Sequence, residues 1–238
     1  MNQGTTLPGI IRWSGYIALV LLIGIPIAVI SVRSGAWELG LGLYALACLG
    51  STLLAIVFIV LLMLPRFAHA RAATGKRLLL ALPGTALLLA LTSGGDAPPI
   101  HDITTNTVDP PRFVTAAERR GESANSLEIK PDFIAEQKKA YPDVSTIRSK
   151  LPADRAFERA VDTANELGWE IYHKDPDAGI IEAVDSTAIM GFKDDVVIRV
   201  VHGFSGTMVD LRSVSRVGLS DLGANAQRIR DFVAAFDE

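Results

Sequence analysis

The sequence predicts an α+β protein in two parts: three transmembrane helices, then a two-layer sandwich of a four-stranded antiparallel sheet with helices on one face. Three observations predict it. Apolar runs at Tyr16–Val32, Leu39–Leu64 and Leu78–Leu91 dominate the first 93 residues. Four short segments rich in β-branched residues, each bounded by turn residues, follow in the second half. Amphipathic segments with helical spacing flank those strands and must cover a sheet face.

Crossing the hydrocarbon takes about 20 residues, so the first run is adequate, the second generous and the third short. Extension to Ser93, with Arg77 snorkelling to the interface, brings the third to length; a re-entrant hairpin is the alternative. Pro26 and Pro83 would break soluble helices but are tolerated in spans whose neighbours satisfy the freed backbone groups. The first run also reads as a signal peptide, but no small-x-small cleavage site follows it and the next run begins almost at once. Gly24 with Ala28, and Ala47 with Ser51, place small residues on one helical face, where helices can approach closely.

Charge divides at the same point. Up to Ser93 there are Arg12, Arg33, Arg66, Arg71, Lys76 and Arg77 against Glu38, leaving 17 basic and 25 acidic residues beyond it, a net charge of −8. An acidic extramembrane part excludes nucleic acid as the expected partner and disfavours broad adhesion to anionic lipid. The basic linker Pro65–Arg77 belongs in the cytoplasm by the positive-inside rule. Three spans then put the N-terminus inside and the C-terminal part outside, which means a bacterial inner membrane and a periplasmic domain. The lone Cys48 lies in an apolar run, so neither an intrachain disulfide nor a cysteine metal cluster is expected.

The expected division is a membrane domain at 1–93, a proline- and threonine-rich tether at 94–128 and a soluble domain at 129–238. Within the tether, Pro98–Phe113 forbids helix but offers Ile100, Ile103, Val108 and Phe113 as anchors, so it should lie along the domain. Thr115–Ser126 reads as disordered. Helices follow at Pro131–Ala140 and from Asp154, where Phe157, Ala160, Val161, Ala164 and Leu167 share a face until Gly168. Strands are expected at Trp169–His173, Gly179–Asp185, Val196–His202 and Thr207–Ser215, with a turn at Gly203–Gly206 and a last helix at Ser220–Phe236.

Alternation in the last two strands sends Val196, Ile198, Val200, Val209 and Leu211 to the core. Arg199, Asp210, Arg212 and Arg216 then share a charged, exposed face, with Arg199–Asp210 and Arg212–Asp194 or Arg212–Asp195 as cross-strand ion pairs. The segment Arg212–Asn225 has a second reading. Arg212, Arg216 and Arg228, with Ser213, Ser215 and Ser220, would converge on the following helix start as a site for a phosphate, carboxylate or lipid headgroup. Asp221 competes as an internal cap, and Asn225 as a buttress. Arg212, inside the strand, is expected to be a structural keystone and Arg216, at its end, a ligand contact.

His101, Asp102 and His202 form an alternative site if the tether crosses the sheet, with Thr104 and Thr105 as nearby hydroxyls. The spacing matches no metal signature, so no metal and no cofactor are expected. A non-enzymatic domain binding a partner protein or an anionic, lipidic ligand is favoured. An envelope hydrolase using His101, Asp102 and a hydroxyl is the rival.

FKDDVVIRV, Phe192–Val200, and VDLRSVSRVGLSDLGANAQRI, Val209–Ile229, resemble the domain of unknown function 1499 family. Its members share a Phe-x-Asp-Asp segment and an Arg-Ser-x-Ser-Arg-x-Gly-x-Ser-Asp-x-Gly-x-Asn-x-x-Arg-Ile tail. The likeness extends loosely back to Ile100. Where many relatives begin with a Pro-Asn-Cys-type segment, IHDITTN, Ile100–Asn106, stands without a cysteine. The resemblance implies a fold outline and no activity.

Overall fold

The computed structural model describes residues 7–92, 97–203 and 206–237. The expected extension of the third span to Ser93, the first tether residues Gly94–Asp96 and the central pair of the Gly203–Gly206 turn lie outside them. The chain divides into two compact units, Met1–Gly95 and Asp96–Glu238.

In the first unit, α1 (Gly9–Arg33) and α2 (Trp37–Met63) are followed by a 3₁₀ turn, Pro65–Ala70, and α3 (Arg71–Thr92). Counting that turn with α3, all three helices are long and apolar enough to cross a membrane. Pro26 and Pro83 sit inside α1 and α3 without ending them. Small residues mark the contacts between helices. Gly24 faces Ala47, and a side chain at Gly40 would meet the Ala28 carbonyl and Val32; one at Gly84 would meet Ser51. The small-residue faces thus serve packing within the chain.

In the second unit the elements run β1 (Asp102–Thr104), α4 (Ala116–Arg119), α5 (Pro131–Ala140), β2 (Ile147–Ser149), α6 (Ala153–Glu166), β3 (Glu170–Asp175), β4 (Ile180–Ser186), β5 (Lys193–Gly203), β6 (Gly206–Ser215) and α7 (Ala224–Phe236). The sheet has six strands, not four. The four expected strands form the antiparallel run β3-β4-β5-β6, and β1 and β2 add to the free edge of β6. β1 pairs along Arg212–Val214 and β2 along Thr207–Val209. Three-residue strands lack the run of alternation that marks a strand in sequence; β6 makes them strands by offering unpaired N–H and C=O groups. Gln137 of α5 closes the other side of β1, its Oε1 accepting from Thr104 N at 3.0 Å and its Nε2 donating to Thr104 O at 2.6 Å.

Helices α5, α6 and α7 pack on one face. Pro131 opens α5 at a position where its missing N–H costs nothing. Gly168, at φ 77°, ends α6. Their apolar stripes meet Ile181, Val196, Ile198 and Leu211 of the sheet, with Ile100 and Ile103 in the same core. Trp169, Phe232 and Phe236 stack in sequence at 5.5 and 5.8 Å. Full burial of a ring such as Phe232 stabilises by about 1.5–3 kcal/mol.

The opposite face is not exposed. Residues 105–127 lie across it, including Thr115–Ser126, which the composition marks as disordered. Glu182, fully buried on β4, accepts from the backbone N–H groups of Val114 and Thr115 and from the Thr115 hydroxyl. Asn125 Nδ2 donates to Ser215 O at 3.1 Å and Gly218 O at 2.9 Å. A polar segment is held here by buried polar partners, which composition cannot reveal.

Candidate functional site

Strand alternation separates the charged corner into two networks, one on each sheet face. Asp102, Asp195, Arg199, Asp210, Arg212 and Arg216 point to the face covered by residues 105–127. Asp185, Asp194, Ser213 and Ser215 point to the helices, where Asn225 and Arg228 of α7 meet them.

On the covered face, Arg212 is 2 % exposed. Its Nε and Nη2 donate to the two Asp102 oxygens at 2.9 and 2.7 Å, and Nη2 also to Leu127 O at 2.8 Å. The partner is therefore Asp102 of β1 and not Asp194 or Asp195, because β1 occupies the β6 edge beside it. Arg216 makes a forked pair with Asp195 at 2.9 and 2.7 Å, and Arg120 Nη1 lies 2.9 Å from the same carboxylate. Burial, with Arg216 and Arg212 nearby, pulls the Arg120 guanidinium below its ordinary pKa despite Asp195. Tyr172 carries the cation of Arg119 over its ring at 4.7 Å, and burial pushes its hydroxyl pKa up. Arg199 pairs with Asp210 at 2.9 Å, as the alternation implies, and also with Asp109. Asp210 is 1 % exposed and takes further bonds from Thr105, Asn106 and Thr146.

On the helix face, Arg228 reaches Asp185 at 2.7 Å through Nε and Asp194 at 2.5 Å through Nη2. Its Nη1 donates to Asn225 Oδ1 at 2.6 Å and Ser213 Oγ at 3.1 Å. Asn225 in turn donates to Ser215 Oγ and to His101 O. Burial raises the Asp194 carboxyl pKa, with Arg228 opposing. The helix start is already occupied. Asp221 accepts from Gly223 N at 2.8 Å and Asn225 N at 3.0 Å, and Ser220 donates to Pro98 O. The helix begins at Ala224 and not at Ser220 because Leu222 and Gly223 take positive φ.

Of the eight corner residues, Ser213, Ser215, Asn225 and Arg228 thus come together, while Arg212 and Arg216 lie across the sheet from them. Each of the three arginines faces an internal carboxylate. His101 and His202 are apart: His101 O accepts from Ser215 N, whereas His202 pairs with Thr207 at the other end of β6. Eight residues of strand separate them, roughly 26 Å. His101 is buried edge-on against Phe133, and burial lowers its pKa. Thr104 and Thr105 donate to Leu211 O and Asp210. Among the described residues no group of three His, Cys, Asp or Glu side chains is placed to hold a metal ion.

On the covered face, Arg212 borders an open groove. The groove, of about 380 Å³, is lined by Arg112, Phe113, Leu127, Glu128, Ile129 and Arg212. The Arg212 guanidinium lies 5.6 Å from the Phe113 ring centre, and its Nη1 has a long 3.5 Å contact to Pro111 O. Arg112 is exposed at the rim. Sequence reasoning missed Arg112, Arg120 and Glu182, since all three depend on a segment whose path alternation does not predict.

No curated protein matches the chain. The family described as "Protein of unknown function (DUF1499)" matches residues 102–236, from the first strand of the second unit to the end of its last helix. The Arg-Ser-x-Ser-Arg and Asp-x-Gly-x-Asn-x-x-Arg-Ile residues of the resemblance are those that tie β6 and α7 to their buried carboxylates, and the chain belongs to the DUF1499 family.

Proposed function

We propose that this is a bacterial inner-membrane protein, N-terminus inside, whose periplasmic unit is a binding module for an anionic amphiphile. The observation that carries the reading is the groove at Arg212: apolar walls from Phe113, Leu127 and Ile129, a buried guanidinium in the lining and a second, exposed one at the rim. An anionic headgroup would meet Arg112 while its alkyl chain follows the apolar wall. Topology rests on the basic Pro65–Arg77 connection. Reporter fusions after Arg71 and after Asp109 should give cytoplasmic and external signals; an external signal at Arg71 overturns the orientation.

The ligand is tested on residues 96–238, a unit with its own core. Dodecyl phosphate, below its micellar concentration, should raise the melting temperature, because a ligand stabilises according to its affinity for the folded state. Dodecyl maltoside should not. Arg112→Gln, on an exposed side chain, should abolish the shift without lowering the unliganded melting point. No shift with the parent unit, or an undiminished shift with Arg112→Gln, refutes the groove as the site.

A further inference from the structure

The membrane unit is strongly polarised. At one end of the bundle gather the start of α1, the end of α2, the 3₁₀ turn and the start of α3, carrying Arg12, Arg66, Arg71, Lys76 and Arg77. The unit's acid, Glu38, lies in the first turn of α2, at the opposite end of a 27-residue helix. That is roughly 37 Å away at 1.5 Å per residue. Among the described residues, no carboxylate pairs with any of the five cations.

The geometry adds a specific place. The Arg77 stem runs over Gly15 of α1, where a side-chain carbon would clash with Nε and come within 2.7 Å of Cδ. Glycine leaves the notch that lets the half-buried Arg77 lie against α1. Its Nη1 donates to Ala73 O at 2.9 Å, which uses little of its donor capacity. Arg12 stands three residues before Gly15 and so on the same helix face, one turn nearer the end. The half-buried Arg77 stem thus lies at the α1–α3 contact, with the exposed Arg12 one turn along α1, and among the described residues neither guanidinium has a carboxylate partner. Arg71 is drawn to the same end, its Nε donating to Leu62 O at 3.2 Å, and Arg66 covers the Phe67 ring at 4.6 Å. Like charges gathered at one end of the bundle favour an anion supplied from the headgroup layer, and basic sites between spans are filled by lipid phosphates in this way.

We infer that an anionic phospholipid binds at the α1–α3 contact, its phosphodiester held by Arg77 and Arg12 and its acyl chains along the exposed apolar faces of the two helices. The inference concerns the membrane unit and stands apart from the groove at Arg212.

The test uses the full chain in dodecyl maltoside, challenged with equal amounts of phosphatidylglycerol and phosphatidylcholine and read by native mass spectrometry. Phosphatidylglycerol should be retained at least threefold over phosphatidylcholine. Arg12→Gln with Arg77→Gln should bring that ratio to about one, and Gly15→Leu, which fills the notch, should lower it without removing a charge. Arg33→Gln, at the other end, should leave it unchanged. If the double variant fails to fold, the Gly15→Leu and Arg33→Gln pair decides alone. Equal retention of both lipids by the parent, or equal loss from Arg33→Gln and Gly15→Leu, overturns the proposal. Displacement of phosphatidylglycerol by millimolar inorganic phosphate would overturn the lipid in favour of a free-anion site.

Discussion

Arg212→Met is the most informative single substitution. It deletes a guanidinium that is 2 % exposed and leaves Asp102, 8 % exposed, with neither of its two charge-assisted bonds. Removing one partner of a buried pair costs about 3–5 kcal/mol, because the remaining charge stays out of water uncompensated. The Leu127 carbonyl loses its 2.8 Å donor as well, but it lies nearer the groove and water can replace the bond at small cost. Urea unfolding of residues 96–238 should therefore show a lower midpoint at an unchanged slope. Asp102→Leu combined with Arg212→Met removes both charges and should recover at least half of the loss, since apolar replacement of a buried pair is often near neutral. Arg230→Met is the comparator: its pair with Asp143 is 38 % and 54 % exposed, and its loss should cost less than about 1 kcal/mol. Equal costs for Arg212→Met and Arg230→Met, or a double variant no better than the sum of its singles, would refute the buried-pair account.

Three further outcomes are expected. The folded unit keeps His101 below its ordinary pKa, so it binds fewer protons there than the unfolded chain; stability should fall as pH drops below about 6.5, and the difference from His101→Gln across that range should isolate the effect. A pH-independent difference would show that the ring is protonated equally in both states. Gly179 sits at φ 67°, where a side-chain carbon would collide with Val200 O, whereas Gly168, at φ 77°, has open space; Gly179→Ala should cost well over 2 kcal/mol and Gly168→Ala about 1 by thermal or urea unfolding. Leu222, exposed and at φ 53°, holds a conformation that suits glycine, so Leu222→Gly should raise stability by up to about 1 kcal/mol, and a loss would mean that the side chain contributes contacts.

How far the sequence discloses the domain depends on the range of each interaction. Alternation along Val196–Val200 and Val209–Leu211 is local, and it correctly divides core residues from Arg199, Asp210 and Arg212. It says nothing of what covers the second face, which is why that face reads as exposed although Asp210 and Arg212 are buried. The partner of Arg212 lies 110 residues upstream in a segment three residues long, where neither period nor propensity can register. In the sequence Asp102 stands beside His101 as a candidate site acid, between two apolar residues, Ile100 and Ile103, that seek the core, and nothing marks it as the partner of Arg212. The helix start is misplaced by four residues because Ser220 and Asp221 look like caps for the first turn; Asp221 does cap, but across Leu222 and Gly223, whose positive φ is not written in residue type alone.

The position of β6 also sets an order of events. Three strands, β1, β2 and β5, pair with this one strand, which follows all of them in the chain and runs to Ser215. Until it has left the ribosome, β1 and β2 have no edge to join, and Asp102 has no cation. The early, acidic stretch must therefore stay open while the rest of the domain is made, and contacts of such long sequence separation form slowly. Pairing of β1 and β2 with the sheet therefore cannot precede β6, which joins the first and last parts of the domain.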